Sequence, residues 1–208
     1  NNQNITVPAS ISRNIIEQLR YISMFKRFEA ADCSTSTQVK ASVQRAIKSQ
    51  IAASHPALDP ETLDVIIPKK PPLTQYKAPG HLTVFCISDT GAPIFFQHRD
   101  GPILPTLRFV HMYPDLGWTT VTVDKGAIPF VLGGANIMCP GLTNPGSEMK
   151  VDLEKGQGVI VMAEGKEHAI CVGTMKMSTE AVRTKNKGVG LDSAHFLGDG
   201  LFLTTQIN

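Results

Sequence analysis

The stretch that decides the fold of this chain is residues 123–142, VDKGAIPFVLGGANIMCPGL. Asp124 is a good helix N-cap, and the apolar residues Ala127, Ile128, Val131 and Leu132 follow it at helical spacing. Two consecutive glycines then end the helical pattern. The stretch therefore predicts a short helix that begins after Asp124 and stops at a glycine pair.

The segment after this helix predicts a sharp corner followed by an edge strand. Gly133 and Gly134 lack side chains, and Ala135 adds little bulk, so another molecule can lie against main-chain amides at this corner. The run 136–139, beginning at Asn136, predicts a short strand, and Pro140-Gly141 turns the chain again. We interpret the corner as a platform for RNA. The alternative is that these glycines serve only turns and close packing.

Six stretches together resemble one known protein family. They are MFKRF from Met24, IIPKKPP from Ile66, FFQHRDGPILPTLR from Phe95, the 123–142 stretch, MAEGKEHAICVGTMKMS from Met162 and NKGVGL from Asn186. The 123–142 stretch resembles the start of a PUA domain, a small β-pseudobarrel named for pseudouridine synthase and archaeosine transglycosylase. All six, in this order, resemble the malignant T-cell amplified sequence protein family.

The resemblance implies a two-domain organisation. We expect an extension over residues 1–23, a mixed α/β N-terminal domain over 24–116, and a mostly-β PUA pseudobarrel over 117–208. The junction is predicted between Pro114 and Val121, a segment that contains Gly117 and the single tryptophan, Trp118.

Several elements of the N-terminal half follow from periodicity. Residues 11–22 predict a short amphipathic helix, and residues 34–54 predict a surface helix with Val39, Val43, Ala46, Ile47 and Ile51 on its buried face. Asp59-Pro60-Glu61 predicts the start of a further helix, 82–88 and 93–99 predict a hairpin around Asp89-Thr90-Gly91, and 105–114 predicts a short helix.

Composition bounds the function. The chain has 208 residues, is 42% hydrophobic and shows neither a membrane-length apolar run nor a signal-like N-terminus, so we expect a soluble cytoplasmic protein. The four cysteines lie far apart and the six histidines show no metal-type pair, so free thiols and no metal or cofactor are expected.

The net charge of the chain does not indicate a nucleic-acid-binding protein. The net charge is +2, and residues 118–208 carry eight basic against nine acidic side chains. RNA binding by this half would therefore depend on shape and on a local cluster of cations. The predicted cluster is Lys176, Arg183, Lys185 and Lys187, with a solvated charge run as the alternative.

The first turn of the predicted helix adds a candidate phosphate contact. Lys125 and Gly126 follow Asp124 at a helix start, where amides and the positive dipole end favour an anion. The predicted RNA-binding residues are accordingly Lys125, Gly126, Gly133, Gly134, Ala135, Asn136, Lys176, Arg183, Lys185 and Lys187.

Three further residues are candidates for contacts with a partner. Phe130 is predicted to point outward from the helix, where it could anchor a partner protein or stack on a base, although a core position is equally compatible with the pattern. Lys69 and Lys70 form a basic turn between prolines that could contact ribosomal RNA. Pro129 is an unusual residue inside a helix and leaves the geometry of this turn open.

The resemblance implies a non-catalytic translation factor. Members of such a family pair with density-regulated protein, act on the small ribosomal subunit and contact tRNA, in tRNA release, ribosome recycling and re-initiation; no DNA or membrane partner is expected. The alternatives are an RNA-modification enzyme or accessory subunit that uses the PUA domain to bind tRNA, and a protein-interaction scaffold. The N-terminal domain has only about ninety residues and contains no glycine-rich cofactor loop, which disfavours the enzyme.

Overall fold

A computed structural model describes residues 25–208 and contains two five-stranded sheets, one in each half of the chain. The amphipathic helix predicted for residues 11–22 lies outside the described residues. The mixed α/β domain followed by a mostly-β PUA pseudobarrel is confirmed.

The N-terminal sheet is an antiparallel meander in which each strand pairs with the next along the chain. Its strands are β1 (Thr35–Gln38), β2 (Leu73–Ala78), β3 (Leu82–Ile87), β4 (Pro93–His98) and β5 (Ile103–Pro105). Its helices are α1 (Ala41–Ser54), α2 (Pro60–Ile66) and α3 (Leu107–Met112). The predicted 82–99 hairpin is present, with Gly91 at φ +66° in its turn.

The helix predicted over residues 34–54 begins later than its pattern indicated. Residues 35–38 form the exposed edge strand β1, and α1 starts at Ala41 after Lys40. The buried side chains of α1 are Gln44, Ile47 and Ile51, whereas Val43 is exposed, contrary to the predicted stripe. Pairing with β2 overrides the helical periodicity of the polar Ser/Thr run. The Asp59 cap is confirmed, because its carboxylate accepts from the Thr62 amide at 3.0 Å.

The C-terminal sheet has the strand order β6-β8-β9-β10-β7 and is antiparallel except for the parallel pair β6-β8. Its strands are β6 (Thr120–Val123), β7 (Ile137–Met138), β8 (Gly158–Ala163), β9 (Cys171–Met175) and β10 (Val189–Phe196). Its helices are α4 (Ile128–Leu132), α5 (Pro140–Thr143), α6 (Thr179–Lys185) and α7 (Gly200–Leu203). A 3-10 turn over Lys125–Ala127 leads into α4, so Pro129 falls in the first turn, where its missing N–H removes no helical hydrogen bond.

One hydrophobic core joins the two halves. Side chains from one face of the second sheet, including Ile160, Val172 and Ala194, pack in the same cluster as the buried face of the N-terminal sheet. A second cluster fills the interior of the C-terminal domain alone. The two domains therefore bury a common apolar interface.

Polar contacts at this interface are also specific. The fully buried His195 Nδ1 donates to the Asp199 carboxylate at 2.8 Å, and the His195 ring contacts Phe25 and Phe96 edge-on. Arg108 donates from Nε to the carbonyl oxygen of Phe202 and covers its ring at 4.9 Å. These contacts link the first domain to the end of β10 and to α7.

His55 is a buried histidine beside the domain junction whose protonation should cost stability. The Thr119 amide donates to His55 Nδ1 at 3.3 Å, the Trp118 ring lies edge-on at 5.1 Å, and burial lowers the pKa of His55 from 6.5 to about 4. The folded state therefore binds this proton less readily than the unfolded chain. The stability that neutral His55 contributes is complete above pH 6.5. It is lost as the pH falls towards 4, which lowers the free energy of unfolding by about 3 kcal/mol in total.

We expect His55→Phe to flatten the pH dependence of unfolding between pH 6.5 and 4. The variant loses the acceptor for Thr119, which lowers stability equally at every pH, but it has no imidazole to protonate. Urea unfolding of both proteins at pH 7.5, 5.5 and 4.5 measures the difference. A wild-type and variant curve that run parallel over this range would contradict the assignment.

Candidate RNA-binding surface

The glycine corner between α4 and β7 is closed by its own hydrogen bonds. The Gly133 amide donates to the carbonyl oxygens of Pro129 and Phe130, the Gly134 amide to Val131 at 2.9 Å, and the Ala135 amide to Phe130 at 3.0 Å. The expectation of uncovered amides at this corner is therefore wrong for these three residues. Gly134 is buried, and its φ of +84° is a backbone conformation that favours glycine.

Ala135 and Asn136 fasten the corner to strand β10. The Ser193 hydroxyl donates to the Ala135 carbonyl at 2.9 Å, and the Ser193 amide donates to Asn136 Oδ1 at 3.0 Å. Both bonds come from the same residue of β10, so they fix the start of β7. Asn136 Oδ1 is thus committed to holding the corner in place.

The start of the predicted helix is occupied by side chains of the protein itself. Asp124 caps the Ala127 amide at 3.0 Å and accepts from Asn144 Nδ2 at 2.9 Å. The Lys125 amide donates to the Glu164 carboxylate at 3.2 Å, and Lys125 Nζ lies 3.8 Å from the same group. The Glu164 carboxylate therefore lies where the sequence predicts a phosphate. The Lys125 side chain nevertheless remains 72% exposed.

The predicted cation cluster divides into paired and accessible members. Lys176 Nζ donates to Asp192 at 2.8 Å, and Arg183 donates to Asp152 at 3.0 Å and to the Met149 carbonyl at 2.7 Å. Both are held by the protein, which reduces their availability to phosphate.

Lys185 and Lys187, at the end of α6, are exposed, and no ion pair found within residues 25–208 involves either. They flank Asn186, which ends the helix in a left-handed conformation at φ 43°. These two lysines are the cations of the cluster that remain open to a ligand.

The loop that carries these lysines adjoins β7 and α5. The Cys139 amide donates to the Gly188 carbonyl at 2.9 Å, and Thr143 Oγ1 donates to Asn186 Oδ1 at 2.7 Å. The chain therefore brings Lys187 next to the strand that follows the glycine corner.

Large apolar side chains on α4 and β7 are left uncovered. Phe130 is 69% exposed, Met138 is 50% exposed and Leu132 is 38% exposed. The outward direction predicted for Phe130 is what the structure shows. Leu132 is exposed, although its spacing predicts a core position. Met138 is not among the residues for which the sequence predicts a role. We call Phe130, Leu132, Met138, Lys185 and Lys187 the β7 surface.

Other candidates lie elsewhere. Lys69 and Lys70 are exposed on the connection from α2 to β2 in the N-terminal half, where the neighbouring Pro68 carbonyl accepts from Gln44 Nε2 at 2.6 Å. Gly126 is exposed in the turn before α4, and a Cβ added to it would face the Asp124 carboxylate. The structure does not bring Lys69 and Lys70 onto the elements that form the β7 surface.

The thiols are unsuited to nucleophilic or metal chemistry. Burial raises the pKa of Cys86 and of Cys171 to about 12 and raises that of Cys139, so these side chains stay protonated at neutral pH. Within residues 25–208, no group of three or more potential ligand side chains could hold a metal ion. Nor does any helix in that range reach the length and hydropathy needed to cross a bilayer.

Comparison with known families agrees with this architecture. The Pre-PUA-like domain model matches residues 28–114, and the model described as "elF2D, PUA domain" matches residues 119–200. A malignant T-cell-amplified sequence 1 homolog of Dictyostelium discoideum is 48% identical over 88% of this chain and 100% of its own length. The chain belongs to the malignant T-cell-amplified sequence family.

Other relatives in the family are similar over the same extent. Translation machinery-associated protein 20 of Schizosaccharomyces pombe is 47% identical over 87% of this chain and 98% of its own. Malignant T-cell-amplified sequence 2 of Homo sapiens is 46% identical over 86% of this chain and 97% of its own.

Solved structures share the fold of this family member. A hypothetical protein of Pyrococcus horikoshii superposes with a TM-score of 0.66 at 21% identity, covering 82% of this chain and 99% of its own. A conserved PUA domain protein of Thermoplasma acidophilum gives 0.58 at 23% identity, covering 81% and 98%. At this identity the likeness shows the fold alone.

We expect Asn136→Ala to destabilise the protein by about 1 to 3 kcal/mol, because the buried Ser193 amide loses its acceptor. Asn136→Asp is the matched control, since its carboxylate keeps an acceptor oxygen in the same place. Thermal or urea unfolding measures both. If the alanine and aspartate variants were equally stable, Asn136 would not hold the corner through this bond.

Proposed function

We propose that this protein is a cytoplasmic, non-catalytic RNA-binding translation factor. In this proposal it acts on the small ribosomal subunit together with density-regulated protein and contacts tRNA, in tRNA release, ribosome recycling and re-initiation. Family membership supports the proposal, as does the name of the relative called translation machinery-associated protein 20. The PUA-type domain over residues 119–200 supports RNA as the ligand.

The observation that carries the proposal is the composition of the β7 surface. Two exposed lysines, for which residues 25–208 provide no ion pair, lie on the loop that is bonded to Cys139, the residue after the exposed Met138. The exposed Phe130 lies on α4, the helix that leads into the same strand. Cations that contact phosphates, next to apolar side chains on which a base can stack, are the combination used for single-stranded ends of RNA. The same apolar side chains are suited to anchoring a protein.

We assign the two halves of this surface different ligands. Lys185 and Lys187 contact the RNA backbone. A lysine that is not held by a carboxylate can neutralise a phosphate, which releases counterions condensed on the RNA. Phe130, with Met138 and Leu132, anchors density-regulated protein, because three large apolar side chains are exposed close together in the chain. Lys69 and Lys70 extend the contact to ribosomal RNA from the N-terminal half.

The low net charge sets the strength of this interaction. With a net charge of +2 over the whole chain, long-range attraction to RNA is small and local contacts carry the binding. We therefore expect a modest affinity for tRNA with a shallow salt dependence, because few phosphates are contacted. In this proposal the protein binds tRNA by itself, and its protein partner and the ribosome add contacts that stabilise the complex.

We expect Lys185→Glu/Lys187→Glu to weaken tRNA binding and to flatten its salt dependence. Loss of two phosphate contacts lowers the slope of log K against log salt by about 1.4 to 1.8, the smaller value applying to single-stranded RNA. Filter binding over a salt series measures both quantities. Lys77→Glu/Lys155→Glu changes the net charge equally at exposed positions on β2 and before β8, and it should leave the slope unchanged. Equal effects of the two double variants would contradict a local site.

We expect Phe130→Asp to abolish co-purification with density-regulated protein while leaving tRNA binding within about twofold, because the charge lies on the apolar half of the surface. Leu203→Asp is the control, since Leu203 is 66% exposed and lies on α7, outside the β7 surface. Size-exclusion chromatography of each variant with the purified partner gives the readout. Unchanged complex formation by Phe130→Asp would remove Phe130 from the interface.

A further inference from the structure

A polar groove runs beside β6, on a part of the domain that the β7 surface does not include. It is a pocket of about 280 Å³. It is lined by Thr120 and Thr122 of the edge strand β6, by Gly165 in the turn after β8, and by Glu148. Lys150 and Lys166 line it as well. We call this feature the β6 groove.

The acidic side chains around the groove are largely committed. Glu164 accepts from the Lys125 amide at 3.2 Å and packs against Gly146, at φ +92°, in a position that a Cβ would fill. Glu148 forms an exposed ion pair with Lys150 at 3.3 Å, of a kind that contributes little and exchanges readily with another anion. The carboxylates therefore leave the groove with an excess of accessible positive charge.

The lysines of the groove are accessible. Lys150 is 71% exposed in its side chain, and none of the ion pairs formed within residues 25–208 includes Lys166. The threonines that line the groove carry hydroxyl groups, which can donate to an oxyanion. Cations and hydroxyl groups in one groove suit phosphate better than a neutral ligand.

The side chain of Lys125 reaches the edge of the groove. The Lys125 Cε atom lies 4.0 Å from the position that a Cβ on Gly165 would occupy, and Gly165 lines the groove. Asp124, its neighbour, is bonded to Asn144 directly after α5, and Thr143 at the end of α5 is bonded to Asn186. A connected series of residues thus leads from the lysines at the end of α6, across α5, to Lys125 and the groove.

We propose that the β6 groove binds the phosphate backbone of the same RNA, with Lys150 and Lys166 as the contacting cations and Lys125 between them and the β7 surface. This rests on the proposed function, since it assigns a second contact to the RNA bound there. An RNA that follows this path contacts both sides of α5. Its orientation on the domain is then fixed by two separate backbone contacts rather than by one.

The test compares Lys150→Glu/Lys166→Glu with the wild-type protein in tRNA filter binding over a salt series. We expect an affinity loss of about tenfold or more at low salt and a slope reduced by about 1.8. Lys77→Glu/Lys155→Glu is again the matched control, because Lys155 lies at the opposite end of β8 from the groove. A groove variant that binds like this control would refute the groove contact.

Lysine labelling of the wild-type protein gives a second readout that does not depend on how the variants fold. Acetylation with and without bound tRNA, followed by peptide mass analysis, should show Lys150 and Lys166 protected and Lys155 labelled equally in both samples. Protection of Lys185 and Lys187 alone would confine the RNA to the β7 surface and overturn the inference. If wild-type protein bound no tRNA at all, the proposed function itself would fail, an outcome distinct from binding without groove protection.

Discussion

The rest of the structure depends on the apolar interface between the two sheets. Leu104 Cδ2 of β5 lies 2.5 Å from the position that a Cβ on Gly158 of β8 would take, so a side chain at this position would have to displace Leu104. The Gly200 amide donates to the Phe25 carbonyl at 2.7 Å, and a side chain there would collide with the backbone of Phe28. Near the C-terminus, the Ile207 amide donates to Gly91 at 2.9 Å. Two backbone hydrogen bonds and one close side-chain contact therefore hold the two domains together.

Strand β10 connects this interface to the candidate binding surface. Its C-terminal part carries His195, whose ring contacts both Phe25 and Phe96 of the first domain edge-on. Its middle carries Ser193, which bonds the glycine corner, and its start pairs with β7. The corner is therefore anchored to a strand whose other end is buried in the shared core. Because proteins are close-packed at such interfaces, the β7 surface has a defined position relative to the N-terminal domain.

Local signals in the sequence were sufficient for the turns and caps. Asp59 and Asp124 cap their helices through bonds to residues three positions away, and the Gly91 hairpin is likewise short-range. The pairing of the cations could not be read in this way, since Lys176 and Arg183 meet Asp192 and Asp152, which lie 16 and 31 positions distant along the chain. The same limit explains why the pattern of residues 35–38 predicts helix, whereas strand pairing with β2 decides the structure there. Exposure of Leu132 and Met138 also depends on tertiary placement, because periodicity gives the face of an element but not what covers it.

The division between paired and accessible lysines bears on how a nearly neutral domain could recognise RNA. Pairs such as Lys176–Asp192 hold β10 and the end of β9 together and fix the shape of the surface, but they offer little net field to a phosphate. Each accessible lysine attracts phosphate only in its own neighbourhood. An RNA is therefore bound well only if its backbone passes each of these lysines in turn. Selectivity for a particular RNA shape then follows from the spacing of a few contacts fixed by a rigid sheet, rather than from the total charge. A strongly basic domain would hold any RNA tightly, whereas this arrangement favours binding that is selective and easily reversed.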